Sequence, residues 1–310
     1  MKLFVQIPCL NEESIIKKTI NNIPKHISGI DEIEILIIDD GCTDNTIKIA
    51  ESCNVKHFVR HERTLGLASA FRSGIAYCLR HGADIIVNTD GDNQYEGECI
   101  KDLVKPIINK KYDIVIGARP INEIDSFSTK KKLLQKLGSY VVRIVSNTNV
   151  QDATSGFRAL SKYAAKKIRI IDDYTYTLDM IISSGRKNIN ILSVPINVNP
   201  PTRESRLIDS TFDYILKSIK TMFRIFVIYS PLRFFTIIGS IFSFFGLILC
   251  LRWLVLYLIF EHSRTHMPSL VLASITLSIG FLFYGIGILS DLISVNRELM
   301  QEIRENQKTR

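Results

Sequence analysis

The sequence predicts an α/β domain with a mostly parallel, Rossmann-like sheet, followed by an interfacial amphipathic helix and a C-terminal hairpin of two transmembrane helices. Three observations predict it. Four short β-branched runs, Phe4-Val5-Gln6-Ile7, Ile35-Leu36-Ile37-Ile38, Ile85-Ile86-Val87 and Ile114-Val115-Ile116, alternate with amphipathic segments, the βαβ pattern from which parallel sheets are built. Two apolar stretches, about 234–260 and 268–290, are each long enough to cross a hydrocarbon core. Ahead of them, Phe212, Ile215, Leu216, Ile219, Phe223 and Phe226 recur at helical spacing beside Lys217, Lys220 and Arg224. The expected organisation is a cytosolic domain over 1–206, an interfacial region over 207–232, the hairpin over 233–296 and a cytosolic tail over 297–310.

The chain of 310 residues is 46% hydrophobic, enough for a large core. Met1-Lys2 leads straight into the first β-branched run without a cleavage site for a signal peptide, so the first domain is expected in the cytosol. Six cysteines show neither CxxC nor zinc-ligand spacing, which suits free thiols in a reducing compartment. The net charge of +8 is concentrated in the second half, at Lys130-Lys131-Lys132, Lys217, Lys220, Arg224 and Arg233. That placement favours anionic lipid headgroups over nucleic acid, for which no module is present. Lys130 to Lys132 read as the solvated start of a helix near the membrane.

In a parallel sheet, ligands bind beyond the carboxyl ends of the strands. Those positions are polar here. Pro8-Cys9-Leu10-Asn11-Glu12-Glu13 follows the first run, Asp39-Asp40-Gly41 the second, Asp90-Gly91-Asp92-Asn93-Gln94 the third, and Gly117-Ala118-Arg119 the fourth. Any one of them also reads as an ordinary cap or turn; four at one edge describe a carboxylate-rich site bordered by arginine. Gly91 permits a turn that lets Asp90 and Asp92 share one hard cation, with Gln94 as a neutral oxygen donor.

For the segment 207–230 two placements stay open, in the interface or packed on the domain. Only Glu261 to Met267 separates the two spans, so both flanks face one side. Arg224 and Arg233 before the hairpin and Arg297, Arg304, Lys308 and Arg310 after it outnumber Arg264 in the loop, which puts both termini in the cytosol. Arg252 reads as snorkelling to the far interface beside Trp253 and Tyr257, with an oligomer-facing or lipid-phosphate-binding Arg as the alternative. His262 and His266 read as an exposed pair, because nothing nearby completes a metal site.

These motifs resemble glycosyltransferase family 2, of the GT-A fold, and are most similar to its polyprenyl-phosphate glycosyltransferases, such as the dolichyl-phosphate mannose synthases. The resemblance extends over nearly the whole chain. It implies nucleoside and donor contacts at Pro8, Asn11, Glu12, Asp39, Asp40 and Asp90, and Mg2+ or Mn2+ held by Asp90, Asp92 and Gln94. Asp152-Ala153-Thr154-Ser155-Gly156-Phe157-Arg158 resembles the family segment near the acceptor, and Pro201-Thr202-Arg203-Glu204-Ser205-Arg206 its acceptor loop. Cys42 stands where that family usually has Ser, and the loop lacks the Gly that often precedes Glu-Ser.

The implied reaction is inverting, metal-dependent transfer of one sugar from a UDP- or GDP-linked donor to undecaprenyl or dolichyl phosphate, by an integral protein of a bacterial or archaeal plasma membrane. Asp92, Arg119 and Arg203 are the expected catalytic residues. A lipid phosphate is already ionised near neutral pH, so positioning and charge neutralisation are the protein's task. Arg119, Arg158 and Arg203, with Ser155, are the expected phosphate contacts. A homo-oligomer is also implied by the resemblance. Two rivals remain: a processive polysaccharide synthase of the same fold, against which the Q-x-x-R-W signature is missing around Trp253, and a catalytically silent sugar-nucleotide-binding membrane protein.

Overall fold

A computed structural model describes residues 1–120, 129–168, 176–200, 220, 223–224, 226–260 and 267–308. The β-branched runs become strands within one seven-stranded sheet: β1 (Lys2–Cys9), β2 (Glu32–Asp39), β3 (His57–Arg60), β4 (Ile85–Asn88), β5 (Ile114–Ala118), β6 (Arg158–Ser161) and β7 (Ile191–Pro195). The order is β3-β2-β1-β4-β6-β5-β7. All pairings are parallel except those of β6, which runs antiparallel between β4 and β5. Among the described residues, seven α-helices accompany these strands: α1 (Ile16–Asn21), α2 (Thr46–Ser52), α3 (Leu67–Arg80), α4 (Ile100–Ile108), α5 (Thr129–Ser146), α6 (Lys162–Lys167) and α7 (Tyr176–Arg186).

Every residue of β4 and β5 is buried, as expected of central strands covered on both faces. On one face Leu3, Val5, Ile7, Ile85 and Val87 pack with Ile16, Ile20, Leu103, Val104 and Phe157. Burying such side chains contributes about 1.5–3 kcal/mol each. Four strands were legible in the sequence; β3, β6 and β7 are additions. The antiparallel insertion of β6 has a functional consequence, because it brings the loop before Arg158 to the edge where the parallel strands end.

The chain divides into two compact units, Met1–Ser218 and Ile219–Arg310. The second contains α8 (Pro231–Phe260) and α9 (Met267–Lys308). Pro231–Ile259 and Met267–Arg297 have mean hydropathies of 2.4 and 2.0 and lengths sufficient to cross a bilayer. Phe244, Leu247, Leu258, Phe281 and Leu282 project outward, exposed. The two helices meet through small residues: a Cβ on Gly280 would lie 2.9 Å from the Gly239 carbonyl oxygen, and one on Gly246 would lie 2.7 Å from Leu277 Cγ. Ser240 Oγ and the Tyr284 hydroxyl are 3.1 Å apart. Close backbone approach at small residues, with a hydrogen bond across, is how helices associate in lipid.

Both helices exceed the expected spans. Proline is tolerated in a first turn, so α8 starts at Pro231. No Gly or Pro follows Gly287 before Lys308, so α9 continues through most of the expected tail. Most of the amphipathic segment at 207–232 lies outside the described residues, as do Arg203 and the acceptor loop.

Candidate active site

Parallel pairing places Cys9, Asp39, Asn88 and Ala118 at one edge of the sheet. β1 pairs with β2 on one side and β4 on the other, so the crevice between these branches is the topological switch point where such sheets bind ligands.

The β1 and β2 loops form one wall. Asn11, at φ 56°, accepts the Thr43 N–H through Oδ1 at 2.8 Å, and the Glu12 N–H donates to Thr46 Oγ1 at 2.7 Å. Asp39 Oδ1 accepts the Gly41 and Cys42 N–H groups at 3.1 and 2.7 Å. The Cys42 thiol has its own hydrogen bonds: Sγ accepts the Asn11 N–H at 3.4 Å and donates to the Cys9 carbonyl at 3.5 Å. Burial pushes this thiol up to about 11, so it stays protonated as that donation requires.

Asp40 is turned inward. Its Oδ1 lies 2.7 Å from His61 Nδ1 and accepts the Leu65 N–H at 2.9 Å, while Oδ2 accepts the Gly66 N–H at 2.9 Å. His61 Nε2 reaches Ser73 Oγ at 3.0 Å. Asp40 therefore fixes the turn into α3, and the Arg63-Thr64 backbone lies against Gly41, whose Cβ would be 2.9 Å from Thr64 N. At φ 86° Gly41 also occupies a region that L side chains rarely adopt. His61, Arg63 and Thr64 were not singled out from the sequence.

The β4 loop forms the opposite wall. A Cβ on Gly91 would lie 3.3 Å from Glu12 Cγ and 3.4 Å from the Pro8 carbonyl oxygen, so the motif after β1 and the Asp90–Gln94 turn are in contact. The turn is clamped from distant segments. Thr19 Oγ1 donates to the Gly91 carbonyl at 2.9 Å, Asn22 Nδ2 to Asn93 Oδ1 at 2.8 Å, and Asn199 donates to the Asn93 and Gln94 carbonyls at 2.9 and 2.8 Å. Asn93 sits at φ 56°, where Asn is among the residues best tolerated.

Asp90 and Asp92 are both half-buried. Burial, then the neighbouring Asp92 charge, pushes the Asp90 carboxyl up to about 7. Two neighbouring carboxylates are what a divalent cation relieves. Asp92 Oδ1 also accepts the Gln94 N–H at 3.0 Å, which holds the turn in shape. Among the described residues no group of three or more His, Cys, Asp or Glu could enclose a metal. Two carboxylates and an amide oxygen fit Mg2+ or Mn2+ that takes its remaining oxygens from water and a diphosphate.

The loop before β6 closes the third side. Arg158, 0% exposed, donates from Nε to the Ser155 carbonyl at 2.7 Å, from Nη1 to that of Thr177 at 2.7 Å and from Nη2 to that of Ala153 at 2.8 Å. Ser155 is fully buried, and its Oγ accepts the Phe157 N–H at 3.3 Å. The sequence reading put both on an acceptor phosphate; the structure gives both internal partners. Arg119 grips Asp152, Nε to Oδ2 at 2.7 Å and Nη2 to Oδ1 at 3.1 Å, and reaches Thr154 Oγ1 at 2.8 Å. Its Nη1 has no hydrogen-bond partner among the described residues. Tyr95 ties the walls together: its hydroxyl accepts the Gly156 N–H at 3.1 Å and its ring stacks on Phe157 at 4.9 Å. A Cβ on Gly156 would lie 2.9 Å from Asp90 Oδ1, so only Gly lets this loop lie against the carboxylate.

The fold and this edge define a glycosyltransferase. Residues 4–169 match the model for Glycosyl transferase family 2, and the chain belongs to that family. It is 30% identical over 215 residues to the UDP-N-acetylglucosamine–dolichyl-phosphate N-acetylglucosaminyltransferase of Methanococcus voltae, covering 63% of this chain and 84% of that protein. It is 28% identical over 210 residues to the undecaprenyl-phosphate mannosyltransferase of Micrococcus luteus, covering 63% and 83%. Among solved structures, glucosyl-3-phosphoglycerate synthase from Mycobacterium tuberculosis with Mn2+, uridine diphosphate and glucosyl-3-phosphoglycerate superposes with a TM-score of 0.55 at 18% identity, over 73% of this chain and 78% of that one. That likeness establishes the GT-A fold.

Proposed function

We propose that the chain transfers a single sugar, with inversion, from a nucleoside diphosphate donor to a polyprenyl phosphate at a bilayer surface. The observation that carries this reading is the pair Asp90 and Asp92 at the β1/β4 crevice of a family-2 chain that also carries two helices of bilayer-spanning length. The relatives named for dolichyl- and undecaprenyl-phosphate transfer support the acceptor class.

In this reading Pro8, Asn11, Glu12 and Asp39 line the nucleoside end, and Asp40 keeps the Arg63–Gly66 turn beside it. Asp90, Asp92 and Gln94 would hold Mg2+ or Mn2+. Bound there, the cation supplies positive charge for the departing diphosphate. A phosphate oxygen of the acceptor attacks the anomeric carbon, the new C–O bond forms as the bond to the diphosphate breaks, and the nucleoside diphosphate leaves with the electron pair. No proton has to move. Arg119, through Nη1, and Arg203 are assigned to the acceptor phosphate, while Arg158 and Ser155 hold the 153–157 loop in place.

The test is transfer of radiolabel from UDP- and GDP-sugars to polyprenyl phosphate by the full-length protein with Mg2+ or Mn2+. An organic-extractable product is expected, lost with EDTA and reduced by about 100-fold or more in Asp92→Ala. Unchanged transfer by Asp92→Ala overturns the metal assignment, and a water-soluble polymeric product overturns the acceptor.

A further inference from the structure

Tyr176 opens α7 and is 2% exposed, and its hydroxyl has no hydrogen-bond partner among the described residues. Buried hydroxyls are normally paired, because an unpaired one forfeits its hydrogen bonds to water. Neighbouring Asn88 does not relieve it: Asn88 Oδ1 accepts from Gln6 Nε2 at 2.9 Å and Nδ2 donates to the Gly156 carbonyl at 2.9 Å. That amide has only a donor left to offer the Tyr176 oxygen, so the phenolic proton still lacks an acceptor.

The side chain is held from two directions. Its ring lies against Phe71 of α3, with centroids 4.6 Å apart, and the next residue, Thr177, gives its carbonyl to Arg158 Nη1 at 2.7 Å. Held so, the hydroxyl is aimed at the metal turn. A Cβ on Gly156 would lie 2.9 and 3.1 Å from Asp90 Oδ1 and Oδ2 and 3.3 Å from the Tyr176 oxygen. Carboxylate and hydroxyl therefore converge on one position that the glycine leaves open. Burial, then the Asp90 charge, pushes the Tyr176 hydroxyl far above the usual phenol range, so it faces that carboxylate as a donor.

Carboxylates that ligate metals are themselves hydrogen-bonded from behind, which fixes the oxygen presented to the cation. We infer that Tyr176 is a positioning residue of the metal site: its hydroxyl donates to Asp90 when a divalent cation and a nucleoside diphosphate are bound, and holds that carboxylate in its ligating orientation. The inference rests on the assignment of Asp90 and Asp92 to the metal. Enclosed behind Gly156, Tyr176 acts through Asp90 and not on the nucleotide, and it lies outside every motif that the sequence brought forward.

Tyr176→Phe removes the hydroxyl and nothing else. Full-length parent and variant in detergent are compared by calorimetry for UDP and GDP binding, in EDTA and as a function of Mn2+, and by their thermal midpoints in EDTA. The Mn2+ concentration for half-maximal nucleotide binding should rise by about tenfold or more in the variant, while nucleotide affinity in EDTA stays as in the parent. Its midpoint in EDTA should equal or exceed the parent's, because an unpaired buried group has been removed. An unchanged Mn2+ dependence overturns the inference. Equal losses of nucleotide affinity with Mn2+ and with EDTA overturn it as well, since the hydroxyl would then serve the nucleotide directly, and a lower midpoint in EDTA would show it already paired in the unloaded fold. Asp92→Ala separates this inference from the reading beneath it. If the Mn2+-dependent gain in affinity is absent from the parent or survives Asp92→Ala, the metal assignment fails and Tyr176 with it. If the gain is lost in Asp92→Ala while Tyr176→Phe matches the parent, the positioning role alone fails.

Discussion

Arg119 and Arg158 stand near one loop in the same residue type, yet their environments assign them different tasks. Arg158 is enclosed and donates to three carbonyls, so it is a strut. Arg119 is paired with Asp152. Burial alone would raise the Asp152 carboxyl, but the Arg119 charge and hydrogen bonds outweigh it and hold it below the usual carboxylate range. A depressed carboxylate contributes stability that is present above the unfolded value near pH 4 and is lost as pH falls. Asp152→Asn, which leaves Arg119 buried without its counter-charge, should cost about 3–5 kcal/mol at pH 7, read as a lower thermal midpoint in detergent. The gap between parent and variant should narrow below about pH 4; a constant gap would mean that the pair is not ionised. Motif spacing brought Arg119, Ser155 and Arg158 to attention from the sequence, but their partners were not legible there. Whether an arginine faces a ligand or a carbonyl depends on burial, and the peptide groups around Arg158 belong to Ala153, Ser155 and Thr177.

At the scale of elements, β1, β2, β4 and β5 were legible because central parallel strands are continuous apolar runs. β3 (His57–Arg60) and β6 (Arg158–Ser161) are four residues each, too short for a periodic signal, and the antiparallel course of β6 depends on partners on either side. The turn at Asp90–Gln94 was legible in its ligands but not in its supports, since Thr19, Asn22 and Asn199 lie 71 to 106 residues from the groups they clamp. The hairpin offers a matched pair of tests. A side chain at Gly280 meets the Gly239 carbonyl oxygen at 2.9 Å and Ser243 N at 3.2 Å, whereas Gly285 has nothing within 4 Å. Gly280→Leu should therefore wedge α8 from α9 and cost about 1–3 kcal/mol, seen as a lower melting point in detergent. Gly285→Leu should leave it unchanged. Equal effects would place the helix contact elsewhere.

For the whole molecule, the distribution of charge around α8 and α9 makes its own statement about orientation. Arg224 precedes α8 and Arg233 lies in its first turn, Arg297 ends the second span with Arg304 and Lys308 beyond it, and the linking stretch offers Arg264 alone. Short flanks rich in Lys and Arg stay on the cytoplasmic side, so the expectation to be tested is that the active-site edge and both flanks of the hairpin lie on that side together. In sealed vesicles of known sidedness, a cysteine introduced as Ser263→Cys should react with an impermeant maleimide from the face opposite to that from which a protease removes a tag placed after Arg310. The parent chain, with its own six cysteines, provides the background labelling. Labelling and cleavage from the same face would mean that α8 and α9 do not form a spanning hairpin, and the acceptor would then have to reach a domain anchored in some other way.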